Sequence, residues 1–165
     1  ALLVRNDNDR GVWVRHLCAG LALVAAACGA PDQALIKPAQ ISGDAIPAPL
    51  TSTAGNADRG KVIFVDRDAG HCVLCHAVSD LDVEFQGDIG PDLSLVGARL
   101  SAAQLRLRIV DYQIVSPGTL MPSYYRIHDL HQVGTAFAGE TILSAQDIED
   151  IVAYLAGQRM IQDEE

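Results

Sequence analysis

Two thiols three positions apart, followed at once by an imidazole, form the most reactive grouping in this chain: Cys72, Cys75 and His76 in the run HCVLCH at residues 71–76. A bare dithiol has no use for that histidine. In C-x-x-C-H the two thiols can add across the vinyl groups of one haem while the adjacent imidazole turns toward its iron, so attachment and ligation come from one short segment. Cys72 and Cys75 are therefore expected to hold one covalent haem c, with His76 as the proximal axial ligand. Three other chemistries use such cysteines. A thioredoxin-like dithiol wants a parallel sheet ahead of the motif, and no strand pattern precedes it. A zinc site would recruit His128 and His131, but these are two residues apart rather than three to five, and 52 residues separate them from Cys75. A structural disulfide leaves His76 unexplained.

A haem iron with one histidine needs a sixth ligand, and the chain has only two methionines. Met160 lies among polar residues beside the C-terminus. Met121 sits in SPGTLMPSYY, a proline-bracketed loop between two expected helices, and is the favoured distal ligand; His128 or His131 would instead give bis-histidine coordination. His71 is too close to the motif to reach the opposite face. A thioether raises the potential relative to bis-histidine ligation. With both axial positions filled and no acid-base pair or nucleophile elbow elsewhere, the chain reads as a redox carrier with no catalytic residue of its own.

The elements that must position these residues follow from periodicity and capping. Asp58 is placed to cap a helix running to about Val65, and Ser101 one running to about Asp111. Ser144 caps a last helix with an apolar stripe at Ile148, Ile151, Val152 and Leu155, which Gly157 can stop. Residues 79–97 are rich in turn formers and read as a surface loop around a fixed object. Nothing alternates long enough to make a sheet. The expected fold is all-α, three or more helices around one haem across residues 57–160. The thin aromatic content, with Phe64, Phe85, Phe137 and four tyrosines, makes a large apolar insert necessary to the core.

Ahead of that domain, Arg10 and Arg15 precede an apolar run of 11 residues, Leu17 to Ala27, ending in small residues. This is the layout of a secretory leader over residues 1–30, and it is too short for the roughly 20 residues of a membrane-spanning helix. Cys28 is a candidate lipid-anchor site; ordinary cleavage near Ala27 or Ala30 is the alternative. From Cys28 onward 9 basic residues face 19 acidic ones, a balance that disfavours nucleic acid. Residues 31–56 hold four of the seven prolines and read as an extended arm, and residues 161–165 as an acidic tail.

Several stretches carry a family resemblance: GDAIPAPLT at 43–51, AGHCVLCHAV at 69–78, GDIGPDLSLVGARLSAAQLRLRIVD at 87–111, SPGTLMPSYYRI at 116–127 and SAQDIEDIVAYLAG at 144–157. Gly90-Pro91-Asp92-Leu93 resembles the G-P-x-L of small soluble c-type cytochromes, in which the proline carbonyl accepts a hydrogen bond from the proximal histidine; Pro91 would serve His76 in this way. The chain as a whole resembles the SoxX-type cytochromes c of bacterial sulfur oxidation. That resemblance implies a periplasmic mono-haem subunit, with His76 and Met121 as iron ligands, paired with a SoxA-type cytochrome. Such a pair joins thiosulfate oxidatively to a cysteine of a sulfur-carrier protein, the L-cysteine S-thiosulfotransferase reaction, and the electrons pass to a soluble cytochrome. Ser116 departs from the asparagine more usual there. The alternative is a free-standing electron shuttle. The two differ in whether a partner surface exists, and the expected patch joins the 43–51 arm to the Pro122–Ile127 loop with Tyr124 and Tyr125.

Overall fold

The computed structural model describes residues 35–159. The leader with Cys28, Met160 and the acidic tail lie outside the described residues. Four helices appear in chain order: α1 (Ala57–Val65), α2 (Val96–Arg99), α3 (Ala102–Asp111) and α4 (Ala145–Gly157). Short 3-10 turns occur at Pro38–Gln40, Cys72–Leu74, Tyr112–Ile114 and Thr135–Phe137. Among the described residues the only β pairing is an isolated bridge between Ser42 and Ala45, as the lack of alternation predicts.

Ser101 and Ser144 cap α3 and α4 as expected. Each side chain accepts a hydrogen bond from the backbone N–H three residues on, and Gln104 or Asp147 returns the bond to the cap. The cap of α1 differs from expectation. Asn56, not Asp58, turns its side-chain oxygen onto Arg59 N at 2.8 Å, because the helix begins at Ala57 and Asp58 already lies inside its first turn. α2 was hidden in the turn-rich stretch; at four residues it is too short to carry a periodic signal.

α4 is the central element, packed chiefly on α1 and also on α3 and α2. Its expected stripe of Ile148, Ile151, Val152 and Leu155 is buried, together with Tyr154, against Phe64 of α1 and Leu105, Ile109 and Val110 of α3. The crossing of α1 and α4 depends on Gly60, where a side-chain carbon would collide with the Asp150 carbonyl. Glycine costs about 1 kcal/mol inside a helix; here it lets two backbones meet. Of the three phenylalanines only Phe64 is core, edge-to-face with Tyr154 at a centroid distance of 5.6 Å. Phe85 and Phe137 lie on the surface.

The proline-rich arm is docked. Ile46 is buried, and its N–H donates to Ala103 O at 3.0 Å. A buried ion pair holds it from beneath. The Arg106 guanidinium donates to both Glu149 carboxylate oxygens, at 2.6 and 2.8 Å, and through its third nitrogen to Ile46 O at 2.7 Å. Glu149 also accepts from Leu50 N at 2.8 Å. One pair thus ties the arm, α3 and α4 together, with its spare donors and acceptors used on the arm's backbone. Arg106→Ala should destabilise the fold by about 3–5 kcal/mol, since it leaves Glu149 buried without its counter-charge. Thermal unfolding would measure the loss, and limited proteolysis should begin within residues 43–51.

A second carboxylate fastens α1 to α4. Asp150 accepts from Asn56 N at 2.7 Å, from two Arg59 nitrogens at 2.8 and 3.0 Å and from Gln146 Nε2 at 3.0 Å. Burial pushes its pKa up, but the hydrogen bonds from Arg59, Asn56 and Gln146 outweigh burial and hold it below the ordinary value. A carboxyl with a depressed folded-state pKa contributes stability that is present above the unfolded value, roughly 3.9, and is lost as the pH falls through the folded one. Asp150→Asn should therefore lower the unfolding midpoint at neutral pH and flatten its decline in acid, as thermal melts across the acid range would record.

Candidate haem centre

The cysteine motif is folded as a tight turn on the end of α1. Asp66 O and Ile63 O accept from His71 N and Gly70 N, and the 3-10 turn Cys72–Leu74 follows. Cys72 O then accepts from both Cys75 N at 3.1 Å and His76 N at 2.9 Å. The turn is entered through His71 at φ 44°, a left-handed conformation uncommon for a side-chain-bearing residue. Cys72 and Cys75 are not bridged to each other and are both half-buried. Burial pushes the Cys72 thiol up to about 12.

His76 meets Pro91 as the sequence reading expects. Its Nδ1 lies 2.8 Å from Pro91 O; a carbonyl only accepts, so Nδ1 carries the proton and donates, leaving the Nε2 lone pair for a metal. The loop bearing Pro91 runs back along the motif. Gly87 N donates to Val73 O, Gly90 N to Cys75 O and Leu93 N to Ala77 O, at 2.8, 2.7 and 2.9 Å. Gly90 lies flat against the imidazole, where any side-chain carbon would run into the ring.

Met121 is half-buried and packs against the core. Its loop is anchored to the end of α3. Tyr124 N and Tyr125 N donate to Ile109 O and Val110 O, each at 3.2 Å. Asp111, itself buried, accepts from Ser123 Oγ at 2.6 Å and from Arg126 at 3.1 Å. Tyr124 turns inward, with its hydroxyl donating to Gly70 O at 3.0 Å, and burial pushes its phenol pKa well up. This corrects the expected partner patch, because Tyr124 and Ile46 are both core residues. On the Met121 loop the exposed apolar side chains are Leu120, at 86%, and Pro122.

His131 is exposed and His128 half-buried. Among the described residues no three side chains of His, Cys, Asp or Glu converge to hold a metal ion, so Cys72 and Cys75 do not share a zinc site with His128 and His131. The donor set instead suits a haem: two free thiols on one turn, an imidazole with its proton held away from Nε2, and a half-buried thioether on a braced loop. The Arg106 pair and the Asp111 anchor had no distinct sequence signal, since they depend on partners that only the fold brings close, whereas Asn56, directly ahead of the helix, is a local cap signal passed over for Asp58.

A four-helix, sheet-free domain with this motif defines a c-type cytochrome, and the chain belongs to that family: the Cytochrome c family model matches residues 57–158. Among solved structures the chain is similar to one in the crystal structure of SoxXA from P. pantotrophus. The identity is 37%, covering 71% of this chain and 91% of that one, with a TM-score of 0.66. It is thereby a SoxX-type cytochrome, with one covalent haem c. Comparison with curated proteins gives no match.

With Met121 as the distal ligand, Met121→Ala should abolish the weak far-red band of methionine-ligated ferric haem and lower the potential. Met160→Ala should leave both unchanged. Visible spectroscopy and a redox titration check this, and a surviving band in Met121→Ala would move the ligand elsewhere.

Proposed function

We propose that this chain is the electron-accepting subunit of a periplasmic, thiosulfate-oxidising SoxAX-type complex, with the bond-making chemistry left to the SoxA-type partner. The observation that carries this reading is the 37% identity over 91% of a SoxXA chain, together with the C-x-x-C-H turn whose His76 Nδ1 is held by Pro91 O. Cys72 and Cys75 would hold the haem, His76 and Met121 would be its iron ligands, and Pro91 O holds the His76 ring through Nδ1. The bound haem supplies reversible one-electron chemistry. The chain's own residues orient the imidazole, shield the thioether and keep both attached to one rigid helical frame.

This chain brings no catalytic residue of its own to thiosulfate, so turnover would require the partner. A stable complex buries roughly 1,200–2,000 Å² in total, and a domain of this size supplies its half by committing a whole face. The Met121 side is such a face. Leu120 is exposed there, and Pro122 lines a groove of about 1110 Å³ in which Leu130, Val133, Phe137 and Ile142 alternate with charged side chains such as Asp68, Arg126, Asp129 and Glu140. Aromatic and aliphatic groups exposed around a concave surface are the composition of an interface core. The electrons leave to a soluble cytochrome, and the thiosulfate sulfur goes to a cysteine of the carrier protein.

No helix among the described residues is long and apolar enough to cross a membrane. Whether the mature chain is free in the periplasm or tethered turns on Cys28, outside those residues.

The test is co-expression with a SoxA-type cytochrome, followed by assay with thiosulfate and the cysteine-bearing carrier. The chain should co-purify with that cytochrome, and its haem should be reduced by thiosulfate only when cytochrome and carrier are both present. A chain that stays monomeric beside the cytochrome at micromolar concentration, and exchanges electrons with several unrelated redox proteins, would be a free shuttle instead.

A further inference from the structure

The cysteine-bearing half of the site, residues 66–95, and the methionine-bearing half, residues 112–143, come from different parts of the chain and meet in the apolar core, where Val73, Val78 and Leu81 join Tyr124 and Leu143 in one cluster. Among the described residues one hydrogen bond joins them directly, from the Tyr124 hydroxyl to Gly70 O at 3.0 Å, and no ion pair does. Gly70 lies two residues before Cys72, and the Cys72 thiol lies beside the same phenol. Tyr124 lies three residues after Met121. Its side chain is buried, its N–H donates to Ile109 O, and its carbonyl accepts from Leu143 N at 3.1 Å. The backbone N–H of Met121 bonds only within its own loop, to Thr119 Oγ1 at 3.1 Å. The remaining anchors of that loop lead to Val110 O and Asp111 at the end of α3 and do not touch the cysteine segment.

We propose that Tyr124 is a positioning residue of the haem crevice: its hydroxyl ties the Met121 loop to the Cys72 segment and so protects the thioether from displacement at the iron. A thioether is a neutral ligand on a flexible side chain, so its replacement by a competing ligand depends on how often the loop swings away. Local opening of that kind is governed by the few bonds that the open state breaks. Here one bond spans the two halves, and it is made by a residue on the same loop as the ligand. The proposal rests on Met121 as the distal ligand.

The test is a titration of the ferric holoprotein with imidazole, following loss of the far-red band. Tyr124→Phe removes one oxygen and keeps the ring's packing. It should bind imidazole about three- to tenfold more tightly than the parent, the factor that corresponds to one net hydrogen bond. Tyr154→Phe is the matched control. That second buried phenol donates to Asp80 Oδ1 at 2.7 Å, a bond between α4 and the 79–97 loop that leaves the methionine half untouched. It should lower the melting temperature without changing imidazole affinity. Unchanged imidazole binding in Tyr124→Phe, an equal shift in both variants, or failure of Tyr124→Phe alone to mature with haem would each overturn the proposal. The last of these would make the phenol a folding residue. Met121→Ala separates the two readings: if its band survives, the ligand assignment fails, whereas a lost band with parent-like imidazole binding in Tyr124→Phe fails the tyrosine proposal alone.

Discussion

The bond from His76 Nδ1 to Pro91 O decides more of this structure than its 2.8 Å suggests. To present that carbonyl, the chain after the cysteine motif has to double back on it. It does so by hydrogen bonds to Val73 O, Cys75 O and Ala77 O and by Gln86, whose side-chain oxygen accepts from Val78 N at 2.6 Å. A loop with little regular structure is thereby as well satisfied as a strand. Gly90 is part of the same constraint, because backbone packed flat on an imidazole leaves no room for a side chain. The imidazole orientation and the loop path are one solution to one problem.

Polar fasteners carry the rest because the domain is short of apolar bulk. Arg106 with Glu149, Arg59 with Asp150, and Arg126 with Asp111 each pair an arginine with a carboxylate that is nearly buried. In every case the carboxylate also accepts from backbone or side-chain N–H or O–H groups outside the pair. That detail matters energetically. Desolvating an ion pair is unfavourable unless its remaining hydrogen-bonding capacity is used, and here that capacity is spent on segments that need holding: the arm, the entry to α1 and the Met121 loop. The pairs therefore act as specifiers of where irregular chain runs more than as sources of net stability.

The legible and illegible parts of the sequence divide along the same line. Ser101 and Ser144 could be read as caps because a capping box is local, and the α4 stripe because its period is internal to the helix. His76 with Pro91 was readable through resemblance, and the geometry agrees with it. What could not be read were contacts whose partners lie far apart, such as Arg106 with Ile46 and Glu149, or Tyr124 with Gly70. Tyr124 also shows why composition misleads: an aromatic pair in a loop reads as a docking patch, yet one member supplies core packing and a cross-crevice bond. The docking of the arm has the same character: its prolines favour extended chain but do not tell that Ile46 reaches a hydrophobic site.

These constraints separate two tasks within one small domain. The side chains expected to hold the haem, Cys72, Cys75, His76 and Met121, are half-buried and sit on chain braced by α1, α3 and the doubled-back loop. Exposed apolar side chains occur on both segments, with Leu74, Phe85 and Ile89 beside the cysteine turn and Leu120, Pro122, Val133, Phe137 and Ile142 beyond Met121, on chain that is mostly irregular. Such a surface can adapt to a partner, because loops tolerate displacement that helices do not. The junction between the two regions is the Met121 loop itself, anchored through Asp111 and Tyr124. A partner seated on that outer face would act on the segment that carries Met121, and the rigidity of those anchors would set how far that segment moves.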